Sequence, residues 1–216
     1  MKKFFTSDLH FFHRNVITYC DRPYVDVVEM FNKIKEQWNS QVKSGDLVYV
    51  LGDFSLNPKY AMAEYLSQFN GDKILIAGNH DACWPVTSDR EKIQRQVNKY
   101  LNAGWKSLHK TLMIELKDGR NVLMSHLPYA NKESLLIDTR YLDHRPKDEG
   151  MVLLHGHAHA RYRKQGRMID VGFDGDLKLY SEDDIIKLIN DEREYIETPI
   201  SNHYLTRVED RKNMKG

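Results

Sequence analysis

Five short apolar runs in this chain each end at residues that can bind a metal ion. The runs cover residues 4–7, 47–51, 73–77, 121–125 and 151–155, and each is typical of a buried strand. In an open α/β sheet the carboxyl ends of the strands form the ligand crevice, so the five endings converge if these strands share a sheet. The residues that follow the runs are Asp8 and His10, Asp53, Asn79, His126, and His157 and His159.

Two pairs of these candidate ligands are separated by a single residue, Asp8 with His10 and His157 with His159. Residues two apart in extended backbone point the same way, so each pair can project two ligands towards one ion. Glycine stands immediately before Asp53, Asn79 and His157, where it permits a tight turn close to a metal.

The candidate donors are carboxylate, amide and imidazole groups, a set that suits Mn²⁺, Fe, Zn²⁺ or Ni²⁺ better than Ca²⁺ or a thiolate centre. Seven donors are more than one ion can comfortably use, and the Asp53 carboxylate could bridge two ions. Two metals about 4 Å apart are the standard device for in-line displacement at phosphorus. The residues therefore predict two divalent ions, with Mn²⁺ as the first candidate, and a phosphoester substrate.

Helical patterns alternate with the strands, which predicts an α/β fold. One helix covers 26–38 with a capping box at Asp26 and Glu29, and another starts at Asn57 and runs through Phe69. A third passes through 93–101, and a fourth is capped by Ser181 with Asp184. Hairpins are expected at 111–125 and 160–172. The long charged segment 131–150 is typical of a lid or a binding loop.

Bulk composition excludes several classes of protein. The length of 216 residues favours one domain, and a net charge of +1 gives no support to a binder of long nucleic acid. No apolar stretch approaches the roughly 20 residues that span a bilayer, so no membrane partner is expected. Cys20 and Cys83 are far apart and outside any CxxC pair, which fits a reducing cytoplasm. The oligomeric state is left open.

The polar blocks "DLH", "GD", "GNHD", a lone His and "GHAH", in this order, resemble the signature of the calcineurin-like metallophosphoesterases over residues 5–175. The opening "TSDLHFFHRNVITYCDRPY" is similar to a small subgroup of bacterial and phage-type single-domain phosphoesterases. The resemblance implies a four-layer α/β/β/α sandwich. We expect the metallophosphoesterase domain over 1–200, followed by a polar C-terminal tail at 201–216.

The resemblance also implies a role for each matching residue. Asp53 bridges the two metals. His80 lies by the leaving-group oxygen as general acid or stabilises the transition state, with Asp81 orienting it. Asp8, His10 and His159 hold the first metal, and Asn79, His126 and His157 hold the second.

Substrate contacts outside the signature are predicted from residue type. Asn15 and Arg22 follow the first metal loop closely, and Arg140 and Arg145 lie in the long charged loop. Arginine can clamp a phosphate with two hydrogen bonds, but a charged loop residue can equally be solvated.

The sequence therefore predicts a dinuclear-metal-dependent phosphoesterase that uses a metal-activated water. The substrate expected first is a small nucleotide or cyclic nucleotide, hydrolysed as a phosphodiester. The alternatives are a phosphomonoesterase acting on proteins or small metabolites, a nuclease, and a non-catalytic metal-binding scaffold.

Overall fold

The structure is a computed structural model that describes residues 1–56, 63–85, 89–130, 139–159 and 161–197. Its helices are α1 (Arg14–Tyr19), α2 (Val27–Gln41), α3 (Ala63–Leu66), α4 (Arg90–Asn102) and α5 (Glu182–Asn190), with a 3-10 helix at Leu142–His144. Its strands are β1 (Lys3–Thr6), β2 (Leu47–Val50), β3 (Asp72–Ile76), β4 (Ser107–His109), β5 (Thr111–Glu115), β6 (Asn121–Ser125), β7 (Val152–His155), β8 (Lys164–Gln165), β9 (Met168–Asp170), β10 (Tyr180–Ser181) and β11 (Tyr195–Ile196).

The strands form two sheets, ordered β10-β1-β2-β3-β4 and β11-β8-β9-β7-β6-β5. Strands β1 to β4 are parallel, and so are β6, β7 and β9, whereas β10 and β5 join their neighbours antiparallel. The five ligand-bearing strands therefore do not share one sheet: β1, β2 and β3 lie in the first sheet, and β6 and β7 in the second. A parallel bridge between Ser7 and Gly172 joins the segments that follow β1 and β9.

Both faces of the first sheet are buried, which explains why its strands are continuous apolar runs. One face packs against helix α2 through Ile34 and Trp38, both fully buried. The other face packs against the second sheet. This inter-sheet core contains Phe5, Leu47, Tyr49, Leu51, Ile74 and Ile76 from the first sheet and Val122, Met124, Leu154 and Ile169 from the second.

The outer face of the second sheet carries a smaller cluster formed by Tyr129, Leu153 and Met168. The segment that contains the 3-10 helix is tied to this region, because Arg145 Nη1 donates to the Pro128 carbonyl at 3.3 Å. Two sheets packed face to face with helices outside make an α/β/β/α sandwich, so the predicted fold class is confirmed. Among the described residues, the outer face of the second sheet is covered mainly by the segment that contains the 3-10 helix.

The predicted helix caps are confirmed where the structure describes them, except that Glu29 accepts from the backbone N–H of Val25 and not from that of Asp26, so the capping box on α2 is incomplete. The Asp26 carboxylate accepts from the backbone N–H groups of Val28 and Glu29, and Ser181 with Asp184 forms a complete capping box on α5. The predicted cap at Asn57 and the tail at 201–216 lie outside the described residues. In the part of the chain described, no helix is both long and apolar enough to cross a bilayer.

Candidate metal centre

Left-handed backbone is concentrated at the candidate ligand positions. The φ angles there are 56° at Asp8, 49° at His10, 54° at Asp53, 68° at His157 and 47° at His159. Each such non-glycine residue costs about 1–3 kcal/mol and persists only where its surroundings hold it. The ligand pairs therefore project from left-handed loops after the strands, and the prediction that they lie in extended backbone is wrong.

Two glycines are required in these loops because carboxylates occupy the space of a side chain. A Cβ on Gly156 would lie 2.0 Å from Ser7 Oγ and 2.4 Å from Asp8 Oδ2. A Cβ on Gly78 would lie 2.3 Å from Asp53 Oδ1. The glycines thus let the loops of the two sheets close around Asp8 and Asp53.

One group of donors consists of Asp8, His10 and His159, whose ligand atoms lie within 4.8 Å of one another. His10 Nε2 and His159 Nε2 are each 3.8 Å from Asp8 Oδ1, and the two imidazole rings stack at 5.1 Å. Asp8 Oδ2 is already engaged, because it accepts from the backbone N–H of His157 at 2.9 Å. Asp8 Oδ1 is therefore the oxygen that faces both rings.

The second group consists of Asp8, Asp53 and His126, again within 4.8 Å. His126 Nδ1 donates to the Leu51 carbonyl at 2.8 Å, which leaves Nε2 facing the site. His126 Nε2 lies 3.0 Å from Asn79 Oδ1 and 3.5 Å from Asp53 Oδ2. The His157 ring packs against the His126 ring at 5.2 Å.

Unpaired buried atoms in this cluster fit a bound cation. Asp8 Oδ1 and both ring nitrogens of His10 are buried and lack a hydrogen-bond partner among the described residues. A buried polar atom without a partner costs about 1–3 kcal/mol, and a cation between these donors would remove that cost. The mixed oxygen and nitrogen donors match the metals predicted from the sequence, and these two groups share Asp8, as two neighbouring ions would require. A third group, formed by Cys20, His159 and Asp174, adjoins the first.

The pKa shifts within the cluster favour the ligating forms of Asp8 and His10. Burial lowers the pKa of His126, but the charges of Asp53 and Asp8 outweigh it and raise that pKa overall, which favours the protonated form. Burial, and then the positive charge of His159, hold the pKa of His10 well below its usual value. Burial raises the pKa of Asp8, but His159 and His126 outweigh it and lower that pKa overall. Burial opposes protonation of His159, yet its hydrogen bond to Asp174 raises its pKa well above the usual value. A metal must therefore displace a proton from His159.

Asp81 makes hydrogen bonds other than the predicted contact with His80. Its Oδ2 accepts from the backbone N–H groups of Asp53 at 2.9 Å and Gly78 at 2.8 Å. Burial, and then the charge of Asp53, raise the pKa of Asp81 to about 7. Among the described residues, no hydrogen bond joins Asp81 to His80. Asp81 instead ties the loop after β2 to the loop after β3.

His80 lies at the exposed side of the cluster. Its backbone N–H donates to Asp53 Oδ1 at 2.9 Å, and its ring is 5.4 Å from the ring of His10. His13 also packs its ring against His10, at 5.8 Å. Two imidazoles therefore border the site where a substrate can approach.

The predicted substrate contact through Arg22 is wrong, because this side chain is 3% exposed and fully used inside the protein. Its Nε donates to Asp174 at 2.7 Å, its Nη1 to the Leu9 carbonyl at 2.7 Å, and its Nη2 to the Asp8 carbonyl at 2.6 Å. A guanidinium with these partners cannot also clamp a phosphate.

The other three predicted substrate contacts are Asn15, Arg140 and Arg145. Arg145 is buried against the Pro128 carbonyl, and the Arg140 guanidinium lies over the Tyr141 ring at 5.6 Å. Asn15 is exposed on α1. Contacts of Asn15 and Arg140 with substrate stay predictions. Residues 131–138 of the long loop lie outside the described residues.

Asp174 is a site residue that the sequence reasoning missed. Its Oδ2 accepts from His159 Nδ1 at 2.9 Å, and its Oδ1 accepts from Arg22 Nε. The signal was present, because Asp174 closely follows the strand expected at 167–172, as the other site residues follow theirs. Cys20 Sγ lies nearby, 3.5 Å from His159 Nδ1.

Comparisons with known proteins agree with this geometry. A family model described as calcineurin-like phosphoesterase matches residues 1–191. The Gene 66 protein of Mycobacterium phage D29 is 34% identical over 196 residues, which cover 87% of this chain and 95% of that protein. The Gene 66 protein of Mycobacterium phage L5 is 30% identical over 197 residues, which cover 86% and 93%. A crystal structure of a protein of unknown function from Aquifex aeolicus matches with a TM-score of 0.61 and 28% identity, covering 87% of this chain and 98% of that one.

Proposed function

Because the chain belongs to the calcineurin-like phosphoesterase family, it is a metal-dependent phosphoesterase, and we propose that its substrate is a small phosphodiester, a nucleotide or cyclic nucleotide. The observation that supports the diester preference is the internal use of the Arg22 guanidinium, which removes the predicted arginine clamp nearest in sequence to the first metal loop. A phosphomonoester is a dianion near neutral pH and is typically clamped by a free arginine. A diester carries one negative charge and needs less neutralisation.

Two divalent ions, proposed to be Mn²⁺, would supply an activated water and neutralise charge on the phosphate oxygens when bound. Asp8, His10 and His159 would hold the first ion. Asn79, His126 and His157 would hold the second, and the carboxylate of Asp53 would contact both. The two donor groups and the unpaired atoms of Asp8 and His10 support this assignment.

His80 would protonate or hydrogen-bond the leaving-group oxygen. Its exposed ring, 5.4 Å from the ring of the buried donor His10, supports this role, since a general acid must come within hydrogen-bond reach of the bound substrate. The hydrogen bond from its backbone to Asp53 links its position to the bridging carboxylate. Asp81 acts on this arrangement indirectly, by fixing the two loops that carry Asp53 and His80.

The test compares bis-p-nitrophenyl phosphate with p-nitrophenyl phosphate on Mn²⁺-loaded protein, followed by a panel of cyclic and linear nucleotides. We expect the diester to be hydrolysed with the higher kcat/KM. A clear preference for the monoester would favour the phosphomonoesterase alternative and overturn the substrate proposal.

The same preparation separates the remaining alternatives. A nuclease would bind an oligonucleotide with an affinity that falls steeply as the salt concentration rises. The net charge of +1 does not favour this alternative. A non-catalytic scaffold would bind Mn²⁺ and hydrolyse neither substrate. A reducing, cytoplasmic location is also proposed, and it is supported by the free thiols of Cys20 and Cys83.

A further inference from the structure

A buried ion pair connects four segments around the first group of metal donors. Arg22 and Asp174 are 3% and 1% exposed, and they meet at 2.7 Å although 152 residues separate them. Arg22 follows α1, and Asp174 follows β9. Their other partners are Asp8 and Leu9 on the loop after β1, and His159 on the loop after β7.

Two contacts of the pair hold ligands proposed for the first metal, one through the ring of His159 and one through the backbone of Asp8. The Asp174 carboxylate accepts a hydrogen bond from His159 Nδ1. The other ring nitrogen of His159, Nε2, then faces Asp8. The guanidinium of Arg22 donates to the carbonyl of Asp8, a residue with left-handed backbone that needs external support. The pair thus fixes one ligand through its ring and another through its backbone.

The charges of the pair also match this task. The Arg22 guanidinium meets the Asp174 carboxylate at 2.7 Å, so that each buried charge has an opposite partner. The other oxygen of Asp174 accepts from His159 Nδ1 and so orients the His159 ring. The ligands proposed for the second ion are held differently. His126 is oriented by the Leu51 carbonyl, and among the described residues no hydrogen bond joins Asn79 or His126 to Arg22 or Asp174.

We propose that Arg22 and Asp174 are positioning residues that set the affinity of the first metal site, the one formed by Asp8, His10 and His159, and leave the second site unaffected. The inference rests on the proposed ligand set. In this proposal Arg22 supports the metal ligands and does not contact the substrate.

The experiment measures Mn²⁺ binding without substrate, so that its failure is distinct from a failure of the substrate proposal. Chelated protein is titrated with Mn²⁺, and free Mn²⁺ is followed by electron paramagnetic resonance. For Asp174→Asn we expect one site to weaken by about 10–100-fold, as partners behind a metal ligand typically contribute, and the other to be unchanged. In saturating Mn²⁺ the variant should recover kcat with an unchanged KM.

Two further variants keep the test decisive if Asp174→Asn does not fold. Arg22→Gln combined with Asp174→Asn removes both charges together, so that no buried charge is left unpaired. It should show the same selective weakening of one site. Arg22→Lys keeps the charge but cannot reach all three oxygen acceptors, and it should weaken the same site by a smaller factor.

The matched control is Asp46→Asn, another buried carboxylate. Asp46 is 7% exposed and accepts from the backbone N–H groups of Lys2 and Lys43. It directly precedes β2 and so lies at the end of the strands opposite to the metal donors. The Asp46→Asn variant should bind both Mn²⁺ ions as the wild type does.

Three results would overturn the proposal. They are wild-type affinity at both sites in the folded variants, an equal loss at both sites, and a rise in KM for Arg22→Lys with unchanged Mn²⁺ affinity. The last result would return Arg22 to the substrate.

Discussion

At the scale of single residues, the hydrogen bond made by one ring nitrogen of a histidine decides which nitrogen can bind a metal. His126 uses Nδ1 to bond the Leu51 carbonyl, and His159 uses Nδ1 to bond Asp174. In both residues Nε2 is left facing the carboxylates of the site. His80 differs from these two because its ring is exposed beside the donors and available to a substrate.

His80→Ala should therefore lose turnover and keep its metals. A positioned general acid contributes about 10²–10⁴-fold to a rate, so we expect kcat to fall within that range. The loss should be larger for substrates with poor leaving groups, because these depend most on protonation. Steady-state kinetics with a series of aryl diesters measures it, and metal analysis measures the Mn²⁺ content.

His109→Ala is the control for this substitution. His109 lies at the end of β4 and contacts Ser107 at 2.9 Å, so its removal should leave kcat unchanged. If His80→Ala instead binds less than the wild-type complement of Mn²⁺, His80 is a ligand and the role proposed for it is incorrect.

At the scale of elements, the loops that follow the strands carry the functional geometry. They hold five left-handed ligand residues, and their glycines make room for the carboxylates of Asp8 and Asp53. The strands themselves supply rigid ends, because β1, β2 and β3 are buried on both faces. A metal site of this kind depends more on loop backbone than on the helices around it.

Gly156→Ala should disrupt metal binding, since the added methyl would overlap Ser7 Oγ and Asp8 Oδ2. We expect Mn²⁺ affinity to drop at least tenfold, which isothermal titration can measure. Gly119→Ala is the matched control, because Gly119 is also glycine in a turn, at φ +84°, with no atom within 4 Å of its Cβ position. It should cost about 1–2 kcal/mol of stability and leave Mn²⁺ binding intact. Normal Mn²⁺ affinity in Gly156→Ala would contradict the close approach of these loops.

At the scale of the whole molecule, the metal centre joins the two sheets. Loops from β1, β2 and β3 bring donors from the first sheet, and loops from β6 and β7 bring donors from the second. Buried donor atoms without a hydrogen-bond partner, such as Asp8 Oδ1 and the ring nitrogens of His10, oppose this convergence, whereas bound ions favour it. Metal binding is therefore expected to stabilise the fold as well as to enable hydrolysis.

Exhaustive treatment with EDTA should abolish phosphoesterase activity and lower the melting temperature, and added Mn²⁺ should restore both. A ligand at 100 times its Kd stabilises by about 2.7 kcal/mol, which corresponds to about 5–10 °C for a chain of this size. Differential scanning calorimetry and a diester assay on the same samples check the two effects. Activity that survives complete removal of metal would contradict the metal-dependent mechanism.

Features that depend on local pattern could be predicted from the sequence. The apolar runs predicted the main strands, and the polar residues after them predicted the donors that the structure brings together. Ser181 and Asp184 predicted the cap of α5, because a capping box involves residues three positions apart. The β4 strand and the short strands β10 and β11 were missed, since two or three residues carry too little periodicity.

The sequence by itself determined which donor chemistry this protein has and where each donor stands along the chain, because residue type and hydrophobic period are local properties. Only the tertiary structure decided that the donors come from two sheets, that Asp81 holds loops together, and that Arg22 pairs with Asp174. Arg22 and Asp174 are 152 residues apart, and Asp81 bonds the backbone of a residue 28 positions away. Such contacts depend on how distant segments pack, and no short pattern in the chain encodes the partner.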